Sequence, residues 1–223
     1  MKLRAILPLC LALAPVAHAG NIGRTDYSPP DAWQPLASYV TPLRWSDGQD
    51  TPMQTRAYYV PGLKGVPKAV LVITSTDGTA RGRLRWVSEI CPEPRPKYFA
   101  RDYGSNKQTR VRECLIVNSA FAPFAYFKPD AEVLRAADEK GIKLFKSGYS
   151  FRSVYGSEAG TLLFVNLMTT KAFKGLANAP TESELNDVAP SLVAMGEALH
   201  AAVKASVLSV GGQLTLPPIP LED

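Results

Sequence analysis

Residues 69–74, Ala-Val-Leu-Val-Ile-Thr, form a continuously apolar, β-branched run with no polar alternation. A strand of that composition has both faces covered and so lies inside a sheet, because a half-solvated strand alternates. Residues 162–168, Leu-Leu-Phe-Val-Asn-Leu-Met, read the same way, and the two runs define the centre of one sheet. Thr76-Asp77-Gly78 ends the first with turn chemistry, and Gly156 to Gly160 is a turn leading into the second.

Working outward, Arg56 to Val60 is a strand, followed by a Pro/Gly loop. Tyr98 to Tyr103 and Thr109 to Asn118 form a β-hairpin about a Gly104-Ser105-Asn106-Lys107 turn. In its second strand Arg110, Arg112 and Cys114 share one face, and Val111, Leu115 and Val117 the other. Residues 82–91 fit a helix, with Leu84, Trp86, Val87, Ile90 and Cys91 on about half the wheel and Pro92 as the stop. A strand at period two is the alternative, with Arg83 the misfit in the helix and Val87-Ser88 the misfit in the strand.

A helix is expected from Pro129 to Lys140, with Pro129 in its first turn, Asp130 and Glu132 at the acid-favouring end and Gly141 beyond its end. Val133, Leu134 and Ala137 form its buried stripe. A strand follows within Ile142 to Tyr155, interrupted near Ser147-Gly148. The last helix runs from an Asp187 N-cap, with Pro190 in the first turn, to about Leu208. Its apolar face is Val188, Leu192, Met195, Leu199, Ala202 and Val203, and Glu197, His200 and Lys204 lie opposite. These elements predict an α+β single domain, with a mainly antiparallel sheet of about five or six strands and two or three packed helices. Residues 56–210 form that domain. Residues 20–55 read as an extended arm anchored by Trp33, Tyr39 and Trp45, with one short strand near Ser38 to Trp45, and residues 211–223 as an extended tail.

The 223 residues are 46% hydrophobic and 20% charged, enough for a core and inconsistent with wholesale disorder. Residues 1–19 read as a secretory signal peptide: Lys2 and Arg4, an apolar stretch from Ala5 to Val16, and Ala17-His18-Ala19 before Gly20. The apolar stretch is shorter than the ~20 residues of a membrane span, and no later run of 18 apolar residues exists. Two cysteines then remain, Cys91 and Cys114, which in an oxidising compartment pair as a disulfide. The loop closed by that bond has a chain-entropy value of ~3 kcal/mol.

Sequence patterns for common chemistries are missing. There is no phosphate loop, dinucleotide fingerprint, H-E-x-x-H or calcium loop, and Gly148-Tyr149-Ser150-Phe151-Arg152 lacks the final glycine of a nucleophile elbow. Two cysteines and one distant histidine do not make a zinc set. No catalytic, cofactor or metal residue is therefore assigned. His200, the one histidine beyond residue 19, reads as a solvated helix position between Glu197 and Lys204.

Charge is the remaining signal. Arg81 to Arg112 holds nine of the 23 Lys and Arg beyond residue 19 and only Glu89, Glu93 and Asp102 as acids, a local +6 against −3 for the rest of the mature chain. Arg101, Lys107, Arg110 and Arg112 are the candidate anion- and partner-binding residues; protection of a sheet edge against aggregation is the competing account. The expectation is an exported, periplasmic or extracellular, non-enzymatic binding or accessory protein of the bacterial envelope. Its partner would be an envelope protein or an anionic polymer and not a nucleic acid. The alternative is a hydrolase acting on an anionic envelope polymer. Export predicts that the intact mass of the secreted product starts at Gly20 and is two hydrogens below that of the reduced form. Retention of the full-length mass, or two freely alkylated thiols, would contradict it.

Overall fold

The computed structural model describes residues 20–44, 50–76, 91–93, 98–104, 111–119, 131–157, 160–170 and 188–221. Seven strands make the main sheet: β3 (Gln34–Arg44), β4 (Asp50–Val60), β5 (Ala69–Thr76), β6 (Tyr98–Asp102), β7 (Val111–Asn118), β8 (Tyr149–Ser157) and β9 (Thr161–Thr169). Their order is β3-β4-β5-β9-β8-β7-β6, and every neighbouring pair is antiparallel. Two meanders therefore meet at β5 and β9, the two runs that the composition places at the centre. Leu71, Ile73, Leu163, Val165 and Leu167 are fully buried there, each contributing roughly 1.5–3 kcal/mol of apolar burial. A small second sheet joins β1 (Gly20–Ile22), β2 (Thr25–Tyr27) and β10 (Gln213–Leu214) in the order β1-β2-β10.

The fold is α+β with one large antiparallel sheet, and the stretch read as an arm supplies more of it than expected. Residues 34–44 form an eleven-residue edge strand, and its partner begins at Asp50, well before Arg56. The reason is compositional. The buried positions of β4 include Thr51 and Thr55 beside Met53 and Ala57, so the alternation is hidden from a count of apolar residues. The Thr55 and Thr74 hydroxyls satisfy each other across the strands at 2.9 Å. Trp33 is buried as an anchor, whereas Trp45 and the proposed 82–90 helix lie outside the described residues.

Two α-helices are formed among the described residues, α1 (Ala131–Glu139) and α2 (Pro190–Leu208). α1 buries Val133 and Ala137 against β3–β5 and β9, but Leu134 is 46% exposed. It lies ~100° round the wheel from Val133, and a short helix resting on a sheet buries only a narrow stripe. Gly141 ends this element with φ 66°, where the Ile142 N–H returns to the Ala137 carbonyl at 2.8 Å. α2 starts at Pro190, with Ala189 at the N-cap position in place of the expected Asp187. Proline's fixed φ suits that first position and its missing N–H leaves nothing unsatisfied.

α2 has the length and mean hydropathy (19 residues, 1.2) of a membrane-crossing helix, but it buries Leu192, Met195, Leu199 and Val203 in the core on one sheet face. The same core takes in Ile22, Tyr27 and Leu214 of the small sheet. The closest approach is at Gly196, where a Cβ would stand 2.5 Å from Val117 Cγ2 and 3.3 Å from both Leu115 methyls. Alanine normally gains about 1 kcal/mol over glycine in a helix. Here a rigid valine methyl blocks it, and overpacking of this kind costs about 1–3 kcal/mol. Gly196→Ala should therefore lower the urea unfolding midpoint; a raised midpoint would mean that α2 is not seated this closely.

Candidate functional site

Strand alternation points Val111, Glu113, Leu115 and Val117 of β7 towards α2, together with Phe151, Ser153 and Tyr155 of β8, since Glu113 pairs with Tyr155 and Leu115 with Ser153. One carboxylate and one aliphatic hydroxyl, with the phenol of Tyr155, thus stand on an otherwise apolar face. His200 reaches both from α2. Its Nδ1 lies 2.9 Å from Ser153 Oγ and its Nε2 lies 3.1 Å from Glu113 Oε1. Lys204 Nζ donates to the same Oε1 at 2.8 Å. Tyr103, just beyond β6, stacks on the imidazole with centroids 4.3 Å apart and planes 16° apart, and its N–H continues the ladder to the Glu113 carbonyl at 3.1 Å.

Ser153, His200 and Glu113 are 0%, 3% and 5% exposed. His200 is therefore not the solvated position that the helical wheel implied. Glu197, His200 and Lys204 form one stripe at spacing i, i+3, i+7, and each member meets a sheet group: Glu197 pairs with Arg101 of β6, and the other two meet Glu113 of β7. The stripe borders the buried face because the sheet brings charges to it. The signals for this were thin: a lone acid among Val111, Leu115 and Val117, a serine between Phe151 and Tyr155, and a histidine beside Leu199.

The proton positions follow from the donors. A carboxylate only accepts, so Nε2 carries the hydrogen towards Glu113, and Nδ1 accepts from the Ser153 hydroxyl. Every member is then satisfied with a neutral imidazole. Burial pushes the His200 pKa down, opposed by the hydrogen bond and charge of Glu113 and aided by Lys204. Glu113 holds the Lys204 ammonium above its ordinary value.

The set has the residue types of an acyl-transfer triad but not the setting. Ser153 lies between Leu115 and Val165 in a strand paired on both sides, so the neighbouring amides serve the ladders and are not free to stabilise an oxyanion. In this conformation the Ser153 hydroxyl is fully enclosed. The arrangement holds α2 to the sheet.

The candidate basic residues are divided. Arg101 is half exposed, ion-paired with Glu197 and 5.1 Å from the Phe99 ring centroid, on the α2 side of the sheet. Arg112 shares the opposite face with Cys114 and is half buried, and its Nε has no hydrogen-bond partner among the described residues. Lys107 and Arg110 lie outside the described residues. Cys91 is bonded to Cys114, as the count of cysteines implied, with their Cα atoms 5.3 Å apart. Arg152, on the Cys114 face and over the Phe164 ring at 5.3 Å, is a half-buried cation the sequence did not single out.

Elsewhere, a half-open groove of about 590 Å3 runs between β2, Trp33 and the C-terminal tail, lined mainly by apolar residues such as Val60, Leu216 and Ile219. It shares no residue with the polar array. Among the described residues no group of three or more His, Cys, Asp or Glu is placed to hold a metal ion. Comparison with protein-family models, curated proteins and solved structures finds no match to this chain.

Removing the shared carboxylate isolates the test of the array. Glu113→Ala leaves a buried imidazole N–H without its acceptor and should cost roughly 2–4 kcal/mol in urea unfolding. Glu113→Gln, which keeps an accepting oxygen, should lose less. A loss below about 0.5 kcal/mol for the alanine variant, the range of an ordinary surface change, would show that the array bears no structural load.

Proposed function

We propose that this protein is an exported binding or accessory protein of the bacterial envelope, acting in the periplasm or outside the cell without catalysis. Its partner is an anionic envelope protein or polymer, engaged through Arg101 of β6 and the basic residues that follow it in sequence, Lys107, Arg110 and Arg112. The observation that carries this reading is the sealing of the catalytic-looking set found among the described residues. Ser153 is wholly enclosed, whereas the +6 stretch of the sequence includes the edge strand with the half-exposed Arg101. The Cys91–Cys114 bond supports an oxidising compartment. An arginine suits bidentate capture of carboxylate or phosphate, and Phe99 and Tyr103 lie beside Arg101 as flat contact area.

The hydrolase reading draws its support from the Ser153–His200–Glu113 hydrogen bonds. It requires Ser153 to become accessible, so an active-site-directed fluorophosphonate should label Ser153 in the native protein if that reading is right, and leave it unlabelled if the set is structural.

For the binding reading, the measurement is crosslinking in intact cells followed by mass spectrometry, comparing the wild type with Arg101→Gln/Lys107→Gln. Partner recovery should fall severalfold in the variant, and wild-type recovery should fall as ionic strength rises. Equal recovery with unchanged salt dependence would reject the basic edge, and edge protection would then be its role.

A further inference from the structure

We propose that the Ser153–His200–Glu113–Lys204 array is an acid-sensitive latch: uptake of a second proton by the His200 imidazole loosens α2 and the stacked Tyr103 from β7 and β8. The proposal rests on the geometry of the array and is independent of what the basic edge binds.

In the neutral state each donor has one acceptor. Ser153 O–H donates to Nδ1, Nε2–H donates to Glu113 Oε1, and Lys204 donates to that same oxygen. A second proton can enter only at Nδ1. Ser153 must then turn from donor to acceptor and find another partner for its own hydrogen in a fully enclosed position. A second cation is also placed on a carboxylate oxygen already shared with Lys204.

The other charged groups around the ring do not offset this. From α2, Glu197 is committed to Arg101 of β6, and Lys204 opposes the new charge. From β7 there is Glu113, already shared. From β8, Ser153 is uncharged and Tyr155 stands nearer the Lys204 end. Tyr103 is held protonated by burial and the nearby Glu197; its ring face attracts an imidazolium, which works against release. Burial outweighs the attraction of Glu113, and the His200 pKa lies below its ordinary value.

The direction of the pH effect follows. The unfolded histidine takes up its proton near the ordinary value of about 6.5 and the folded one only at lower pH, so the unfolded or opened state binds more protons in between. The latch is at full strength above the unfolded value. It weakens as pH falls towards the folded value and loses nothing further below it. Each pH unit in that window multiplies the opening constant by up to about tenfold.

Two measurements on the exported protein decide it. The His200 Cε1–H resonance, identified by its loss in His200→Gln, should titrate with a midpoint below 6.5. Lys204→Met, changed on the exposed side of the array, should raise that midpoint by removing a neighbouring positive charge. Over the same pH range amide exchange in α2 and at Tyr103, corrected for intrinsic rates, should accelerate in wild type and stay flat in His200→Gln, whose amide can copy the neutral hydrogen bonds. A midpoint at or above 6.5, a midpoint indifferent to Lys204→Met, or α2 exchange with no acid-dependent rise in wild type would each overturn the latch. Should His200→Gln fail to fold, the wild-type and Lys204→Met titrations and the wild-type exchange profile still decide the question.

Discussion

A carboxylate on a sheet face that a helix is to cover has to be met by donors before the helix can dock, and Glu113 imposes that condition on α2. Two donors from one helix face satisfy it, His200 and Lys204, spaced one turn apart. Apolar packing alone would tolerate sliding of α2 along the sheet, because Leu192, Met195, Leu199 and Val203 are similar in shape and interchangeable in chemistry. The hydrogen bonds are not interchangeable, so they fix the register, as buried polar groups do when every member is satisfied. Gly196 completes the constraint by allowing the helix axis close to Val117 and Leu115. The polar array and the glycine therefore set position, and the leucines supply most of the free energy.

The residue after Glu113 does the corresponding work on the other face. After β5 the chain crosses to the far edge and re-enters as β6, with β9, β8 and β7 lying between them in the sheet. Cys91 lies within that connection and is bonded to Cys114 of β7, packed among Met53, Ile116, Val154 and Leu162. Adjacent residues of one strand thus tie down a helix on one side and a crossover on the other. β7 is the strand on which both depend, although it is neither central in the sheet nor the most apolar in sequence.

The legible parts of the sequence were those with one dominant signal. β5 and β9 announce themselves by unbroken apolar composition, α2 by its periodicity, and the disulfide by a count of two cysteines. The less legible parts used polar residues in buried places. Threonines on the covered face of β4 hid the half of that strand that precedes Arg56, and most of a proline-bearing edge strand, β3, looked like an arm because Pro35 and Pro42 are tolerated only where a ladder has a free side. The array was invisible for a related reason. A helical wheel separates residues by polarity, and Glu197, His200 and Lys204 all fell on its polar side. Whether a polar stripe meets water or meets Arg101 and Glu113 depends on strands far away in the chain, which no local pattern contains.

The ion pair at the edge bears on how the proposed binding residue and the polar array share one corner of the molecule. Arg101 and Glu197 are each close to half exposed, and pairs of that kind contribute about 0–1 kcal/mol. Under the proposed binding, a partner carboxylate or phosphate would take the place of Glu197 at little expense, because the arginine is already partly desolvated and oriented by Phe99 and Tyr103. The same exchange would leave Glu197 unpaired one turn from His200 on α2. Its charge, no longer neutralised by Arg101, would favour the imidazolium, so under the two proposals occupation of the edge and protonation of the latch promote each other. Reciprocity of that sort is required wherever two equilibria act on a common charge, and here the charge that both act on is Glu197.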